Sequence, residues 1–65
     1  MASPLYRSIK RLLMDNRCTF VRYAKGDHEI WHSPITNRNV TLDAGITSRM
    51  TANGIMKDAG IDHRF

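Results

Sequence analysis

The stretch YAKGDHEIWHSP, from Tyr23 to Pro34, predicts a tight turn followed by a short strand, and the remaining elements can be placed around it. Glycine adopts a positive φ without strain and aspartate bonds its own backbone, so Lys25–Asp27 is typical turn sequence. His28 then lies at the mouth of the turn, where the strand begins. The strand holds one side of this residue and solvent reaches the other, which suits a side chain that moves protons near neutral pH.

The chain has 65 residues, which predicts one domain, residues 1–65, with a thin core. Hydrophobic residues make up 42% of it, which favours a folded domain over a disordered one. The net charge of +4 favours a polyanionic partner, meaning nucleic acid, an anionic membrane or an acidic protein. The alternative on charge alone is a soluble protein that is merely basic.

The cysteine count and the apolar runs indicate the compartment. A single cysteine, Cys18, can form neither an internal disulfide nor a metal cluster, which fits a reducing environment. No apolar run approaches the roughly 20 residues that a membrane span needs. The segment Met1–Pro4 lacks the apolar region of a signal peptide. We therefore expect a cytoplasmic protein with no membrane partner.

Apolar periodicity and capping residues predict two helices and three strands. Ser3 and Pro4 are typical of a helix start, and apolar residues at helical spacing continue to Asp15. Asn16 is the expected left-handed terminator of this helix. The predicted strands are Cys18–Tyr23, His28–Ser33 and Asn39–Leu42, and a second helix starts near Ser48 or Thr51 and ends at Gly60.

The order α-β-β-β-α predicts a two-layer α+β domain, in which a three-stranded antiparallel meander carries both helices on one face. We expect a loosely held tail from Ile61 to Phe65. Met50 is expected on an apolar face of the second helix. The predicted core residues are Leu5, Ile9, Leu12, Phe20, Val40, Leu42, Ile55 and Met56.

The face of strand two that meets the helices is left open by its sequence. His28, Ile30 and His32 point one way, while Glu29, Trp31 and Ser33 point the other. Ile30 favours burial of the first set and Trp31 favours burial of the second. Trp31 is expected in the core, because a large aromatic side chain in a small domain is usually buried.

His28 is the candidate catalytic residue. An unperturbed imidazole has a pKa of about 6.5, which suits a general acid or base. In RNA the 2′-hydroxyl is a built-in nucleophile, so one base and one cation beside the phosphate can support cleavage without a metal. No metal site is expected, because strand geometry separates His28 from His32 by more than roughly 13 Å. The alternative is that His28 merely begins a strand.

Basic residues in the first half of the chain are candidates for RNA contact. Lys25, Arg22, Lys10 and Arg11 could line one flank of the domain beside His28. For Arg7, Lys10 and Arg11 of the first helix, the alternative is an ordinary solvated helix face.

Two motifs together resemble the HicA family of toxin ribonucleases, the mRNA interferases of type II toxin–antitoxin systems. The first is Arg22–Pro34, with Gly-X-His at Gly26–His28, and the second is the closing-helix sequence IMKDAGI at Ile55–Ile61. The resemblance implies a fold related to the double-stranded-RNA-binding domain, His28 as the catalytic residue and Gly26 as the residue that shapes its turn. It also implies mRNA as substrate, no cofactor, and a HicB-like antitoxin that covers the site.

The sequence is therefore compatible with three functions. The first is a metal-independent ribonuclease toxin. The second is a non-catalytic RNA-binding module with the same fold and the same basic residues. The third is an adaptor whose exposed sheet pairs with a partner. The position of His28 favours the first, because a binding module has no need of a histidine at the mouth of the hairpin.

Overall fold

The computed structural model describes residues 2–65, and its elements follow the predicted order. The sheet order is β1-β2-β3 with both neighbouring pairs antiparallel, so the predicted α+β architecture of two helices on a three-stranded antiparallel sheet is confirmed. Neither helix within residues 2–65 has the length and apolarity that crossing a membrane requires. The elements are α1 (Pro4–Asp15), β1 (Thr19–Tyr23), β2 (His28–Ser33), β3 (Arg38–Asp43) and α2 (Arg49–Ala59).

The ends of α1 show why the sequence starts and stops this helix where it does. Ser3 is the N-cap, and its hydroxyl accepts a hydrogen bond from the Tyr6 N–H at 3.0 Å. At the other end Asn16 has a φ of −99°, so the expectation that it takes the left-handed conformation is wrong. Arg17 takes that conformation instead, with a φ of 65°. The Cys18 N–H then closes the helix on the Leu13 carbonyl at 2.9 Å.

Two glycines in and after α2 have different roles. Gly60 ends the helix with a φ of 73°, as predicted for a C-terminal cap. Gly54 lies inside the helix, and a Cβ added there would meet nothing within 4 Å. The helix begins at Arg49, so Gly54 lies well inside it, at a position with room for a side chain.

The question of which face of β2 meets the helices is settled by burial. Glu29, Trp31 and Ser33 are buried under the helices, while the His28 side of the strand is only half-buried. Ser33 secures this packing, because its hydroxyl donates to the Ala59 carbonyl of α2 at 2.6 Å. The His28 side of the sheet is consequently the face that carries no helix.

Most of the predicted core is confirmed. Leu5 and Leu12 are only partly buried against it, and Met50, expected on an apolar face, is 84% exposed. The tail is held more firmly than expected, since Ile61 is buried and the Phe65 N–H donates to the Asn53 side chain at 2.7 Å. The predicted residues that are fully buried are Ile9, Val40, Leu42, Ile55 and Met56.

Strand β1 lies beyond the cover of the helices, and all five of its residues are exposed. The prediction of Phe20 in the core is therefore wrong, since its side chain is 44% exposed. Its ring packs edge-on against Trp31, with 5.9 Å between ring centroids, and against Tyr23 at 4.9 Å. The helices pack on β2 and β3, so an apolar residue at the edge strand remains at the margin of the core.

A buried polar cluster joins α1 to β2. The carboxyl group of Glu29 accepts hydrogen bonds from the Tyr6 hydroxyl and, at 3.0 Å, from the Trp31 indole N–H. Burial, and then the hydrogen bond to Glu29, raise the pKa of Tyr6 above its ordinary value. The protonated phenol is therefore favoured in the folded state.

The raised pKa of Tyr6 predicts a loss of stability at alkaline pH. Because the folded pKa exceeds the unfolded one, the stabilisation is complete below the ordinary tyrosine pKa of about 10 and is lost as pH rises through the folded value. We expect Tyr6→Phe to lower the free energy of unfolding at neutral pH by about 1–3 kcal/mol, because Glu29 loses a donor. The same variant should lose less of its stability on alkaline titration than wild type does.

Urea unfolding at neutral pH and above about pH 10 measures both effects. Tyr23→Phe is the matched control, because Tyr23 is 71% exposed and its removal leaves Glu29 fully bonded. If Tyr6→Phe and wild type lose the same free energy of unfolding at alkaline pH, ionisation of Tyr6 is not the cause of the loss.

Candidate functional site

The turn before β2 places His28 at the start of that strand. The Ala24 N–H donates to the His28 carbonyl at 2.8 Å, which closes the hairpin. Gly26 has a φ of 69°, and a Cβ at that position would meet nothing within 4 Å. The backbone conformation, and not lack of space, is therefore what favours glycine here. Lys25 is exposed in the same turn.

Asp43, at the end of β3, is the cross-strand partner of His28. Its Oδ2 lies 3.8 Å from the His28 Nε2, and the two side chains are 50% and 45% exposed. Residues paired in this way have side chains on the same face of the sheet. The imidazole therefore has a carboxylate on one side and remains accessible to a solute on the other.

His28 and Asp43 line a cavity of about 440 Å³, which we call the histidine pocket. Its other walls are the loop residues Gly45, Ile46 and Thr47 and three further hydroxyl side chains, those of Thr41 on β3 and of Ser48 and Thr51 at the start of α2. Ser48 is the N-cap of that helix. The N-terminal end of a helix carries partial positive charge and free N–H groups, which favour anions. The histidine pocket thus combines a titratable imidazole with surroundings that suit a phosphate group.

The structure separates the four basic candidates into two groups. Arg22 pairs with Ile30 in the β1–β2 register, so it shares the open sheet face with His28, and Lys25 is in the turn beside it. Lys10 belongs to the helical layer, with its Nζ 5.7 Å from the centroid of the Tyr6 ring. Arg11 lies on the exposed side of α1 and pairs with Asp15 at 3.9 Å. The expectation of one basic flank beside His28 therefore fits Arg22 and Lys25 but not the residues of α1.

The other two histidines have different surroundings. His32, on the same strand and face as His28, has its Nδ1 2.9 Å from the Asn39 Oδ1. His63 packs edge-on against Phe65, with 4.6 Å between ring centroids. Within residues 2–65, the His, Cys, Asp and Glu side chains form no group of three that could hold a metal ion.

Sequence reasoning missed the residues that complete the pocket. It gave Asp43 no role, and it named Ser48 and Thr51 only as possible starts of the second helix. The signal for Asp43 was the strand register, because a short turn after Ser33 pairs His28 with Asp43 across the two strands. The hydroxyl residues of α2 carried no comparable signal, since their approach to His28 depends on how the helix packs.

Comparison of the chain with protein-family models, with curated proteins and with solved structures found no significant match. The function must therefore be inferred from the residues and geometry of the chain itself.

Proposed function

We propose that the chain is a metal-independent endoribonuclease that cleaves mRNA, the toxin of a type II toxin–antitoxin pair, with a HicA-like fold related to the double-stranded-RNA-binding domain. One observation carries the proposal: His28 is half-exposed at the wall of a pocket whose other side is a helix N-terminus. An imidazole and an anion-favouring surface at one place are what cleavage of a phosphodiester requires. The proposal also places the protein in the cytoplasm, with its mRNA substrate.

His28 is the general base in the proposed reaction. Its imidazole removes the proton of the RNA 2′-hydroxyl, and the 2′-oxygen attacks the adjacent phosphorus. The new bond joins the 2′-oxygen to phosphorus, the bond from phosphorus to the 5′-oxygen breaks, and that oxygen leaves with a proton from solvent. The products are a 2′,3′-cyclic phosphate and a 5′-hydroxyl end. Negative charge that develops on the phosphate oxygens is stabilised by Lys25 and by the N-terminal N–H groups of α2.

The alternative is a non-catalytic RNA-binding module of the same fold. It is favoured by Lys10 and Arg11, which are basic but belong to a different layer from His28. These residues could contact RNA phosphates without any role for an imidazole. Both functions predict binding of RNA, and only the first predicts cutting.

The experiment that tests the proposal is a cleavage assay in EDTA. A single-stranded RNA and a DNA of the same sequence are each incubated with the protein, and the ends of the products are identified. We expect the RNA alone to be cut and its fragments to carry cyclic phosphate, because DNA lacks the 2′-hydroxyl. RNA that is bound but stays intact with EDTA and with added Mg²⁺ would favour the binding module. Cutting of both polymers would contradict the 2′-hydroxyl mechanism.

A HicB-like antitoxin is the proposed partner. The chain is basic, and the uncovered strand β1 exposes Phe20, Val21 and Tyr23, which an acidic partner could bury. The proposed interface includes Lys25, His28 and some of Arg7, Lys10, Arg11 and Arg22. Occupation of the histidine pocket by one side chain of the partner would block the site directly.

We expect association with such an antitoxin to slow by about tenfold or more between low and high salt, because exposed charges are screened. Stopped-flow mixing with the proposed antitoxin measures the rate. Lys25→Gln should slow association, whereas Lys57→Gln, an equal charge change at the far end of α2, should have little effect. A complex that leaves His28 open to solvent would contradict direct blocking and require an allosteric inhibition.

A further inference from the structure

The carboxylate of Asp43 is oriented by the backbone and not by His28. Its Oδ1 accepts a hydrogen bond from the Gly45 N–H at 3.0 Å, which leaves Oδ2 directed at the His28 Nε2, 3.8 Å away. The two oxygens therefore have separate partners. The position of Oδ2 is consequently determined before any substrate arrives.

The loop that holds Asp43 is itself secured from two sides. The Ala44 N–H donates to the Asp27 carbonyl at 3.3 Å, which ties the loop to the turn that precedes His28. Ser3, the N-cap of α1, donates from its N–H to the Ala44 carbonyl at 3.0 Å and from its hydroxyl to the Ile46 carbonyl at 2.6 Å. The start of α1 and the hairpin turn thus hold Asp43 in place relative to the imidazole.

From this geometry we infer that Asp43 is a positioning residue that selects the tautomer of His28 with the proton on Nε2. A neutral imidazole has one N–H donor and one acceptor nitrogen, and a carboxylate only accepts. The N–H must therefore face Oδ2, and Nδ1 is left as the nitrogen that removes the RNA proton. At 3.8 Å the contact is longer than a hydrogen bond, so the carboxylate acts on the imidazole as a nearby negative charge, which favours the N–H on the nearer nitrogen.

The role of Asp43 in RNA cleavage rests on the proposed function. Its effect on the tautomer of His28 does not, because the tautomer is measured without RNA. Other charged side chains near this end of β2 are Lys25 and Asp27, which are exposed in the turn, and Arg22, which lies on the same open face of the sheet. Asp27 adjoins His28 in sequence, whereas Asp43 faces the imidazole across the strands. The two aspartates are therefore a matched pair for a test, because removing either one changes the net charge equally.

Asp43→Asn tests the tautomer directly. The asparagine keeps Oδ1 as the acceptor for the Gly45 N–H and replaces Oδ2 with an NH₂ group, which donates. We expect the proton of His28 to move from Nε2 to Nδ1, a change of at least about fivefold in the tautomer ratio, as exposed ion-pair energies imply. Long-range ¹H–¹⁵N spectra of the imidazole, recorded about two pH units above the ordinary histidine pKa of about 6.5, report the ratio.

Asp27→Asn is the control and should leave the ratio unchanged. A ratio that is equal in wild type and Asp43→Asn, or a wild type with the proton on Nδ1, would overturn the inference. Amide spectra that differ only around His28 would show that the variant keeps its fold.

Cleavage kinetics test the role of the tautomer in the reaction. We expect Asp43→Asn to lower kcat by about three- to tenfold with KM unchanged, and Asp27→Asn to leave kcat within about twofold of wild type. A changed tautomer with an unchanged kcat would overturn the positioning role. If wild type cuts no RNA, the proposed ribonuclease is wrong, and the spectra still decide whether Asp43 sets the tautomer.

Discussion

The variant His28→Ala is expected to cleave RNA about 10²–10⁴-fold more slowly than wild type, the range typical of losing a general acid or base. The reason is the position of the imidazole, which is half-exposed at the wall of the histidine pocket beside the start of α2. Without it, the 2′-hydroxyl must lose its proton to water. Single-turnover cleavage in EDTA measures the loss without interference from product release.

The loss in His28→Ala should not come from unfolding or from lost binding. His28 is half-exposed at the end of a strand, and truncating such a residue changes the free energy of unfolding by about 1 kcal/mol or less. Binding of RNA should stay within about threefold of wild type, because one side chain contributes little beside the basic residues.

His32→Ala is the matched control for His28→Ala. His32 lies on the same strand and the same open face, but its imidazole meets the Asn39 amide oxygen and does not line the histidine pocket. We expect it to cut RNA within about threefold of wild type, as for an ordinary surface substitution. Equal losses in the two variants, or full activity in His28→Ala, would show that the reaction does not depend on the position of His28.

Local sequence signals predicted the elements because each signal acts on its own stretch of chain. Ser3 and Pro4 define the start of α1, and the turn before His28 defines the start of β2, so those bounds agree with the prediction. The start of β1 was predicted one residue early, since Cys18 closes α1 through its N–H. β3 extends one residue further at each end, because pairing with β2 recruits Arg38 and Asp43.

Burial was harder to predict, because it depends on contacts between distant parts of the chain. The alternation of β2 placed Glu29 on the same face as Trp31, but it could not show that the buried carboxylate has hydrogen-bond donors in Tyr6 of α1 and Trp31 of β2. Phe20 has the composition of a core residue, and it is exposed because the helices do not extend over β1. A sequence pattern gives the alternation of a strand but does not show which strands the helices cover.

The residues of the candidate site also differ in whether local sequence or the packing of distant segments identifies them. His28 and Gly26 could be singled out from the sequence because both belong to one turn. Asp43 could have been placed beside His28 only by working out the strand register. The hydroxyl groups of Ser48 and Thr51 come from beyond the loop that follows β3, and only the structure shows that they line the pocket.

The largest effect on stability is expected for Gly60→Ala, at about 2–4 kcal/mol of destabilisation from backbone strain and overpacking together. Gly60 has a φ of 73°, a conformation that a residue with a Cβ adopts at a cost of about 1–2 kcal/mol. A Cβ there would also lie 2.6 Å from the Ile35 Cγ2 and 2.9 Å from the Thr36 Cγ2. Thr36 has little freedom to withdraw, because its hydroxyl donates to the Asp58 carbonyl at 2.6 Å. A 65-residue domain has only about 3–10 kcal/mol in total, so the melting temperature should fall by about 8–30 °C.

Two further glycine variants separate the causes of the Gly60→Ala effect. Gly26→Ala meets the same backbone penalty, at a φ of 69°, but no atom within 4 Å, so it should cost about 1–2 kcal/mol. Gly54→Ala has neither penalty inside α2 and should stabilise the protein by about 0.5–1 kcal/mol, because alanine is the better helix former. Urea unfolding of the three variants gives the contribution of the contact with Ile35 and Thr36 as the difference between Gly60→Ala and Gly26→Ala. Equal values for these two variants would mean that both side chains move aside without cost, and that the end of α2 is not tightly packed on the turn between β2 and β3.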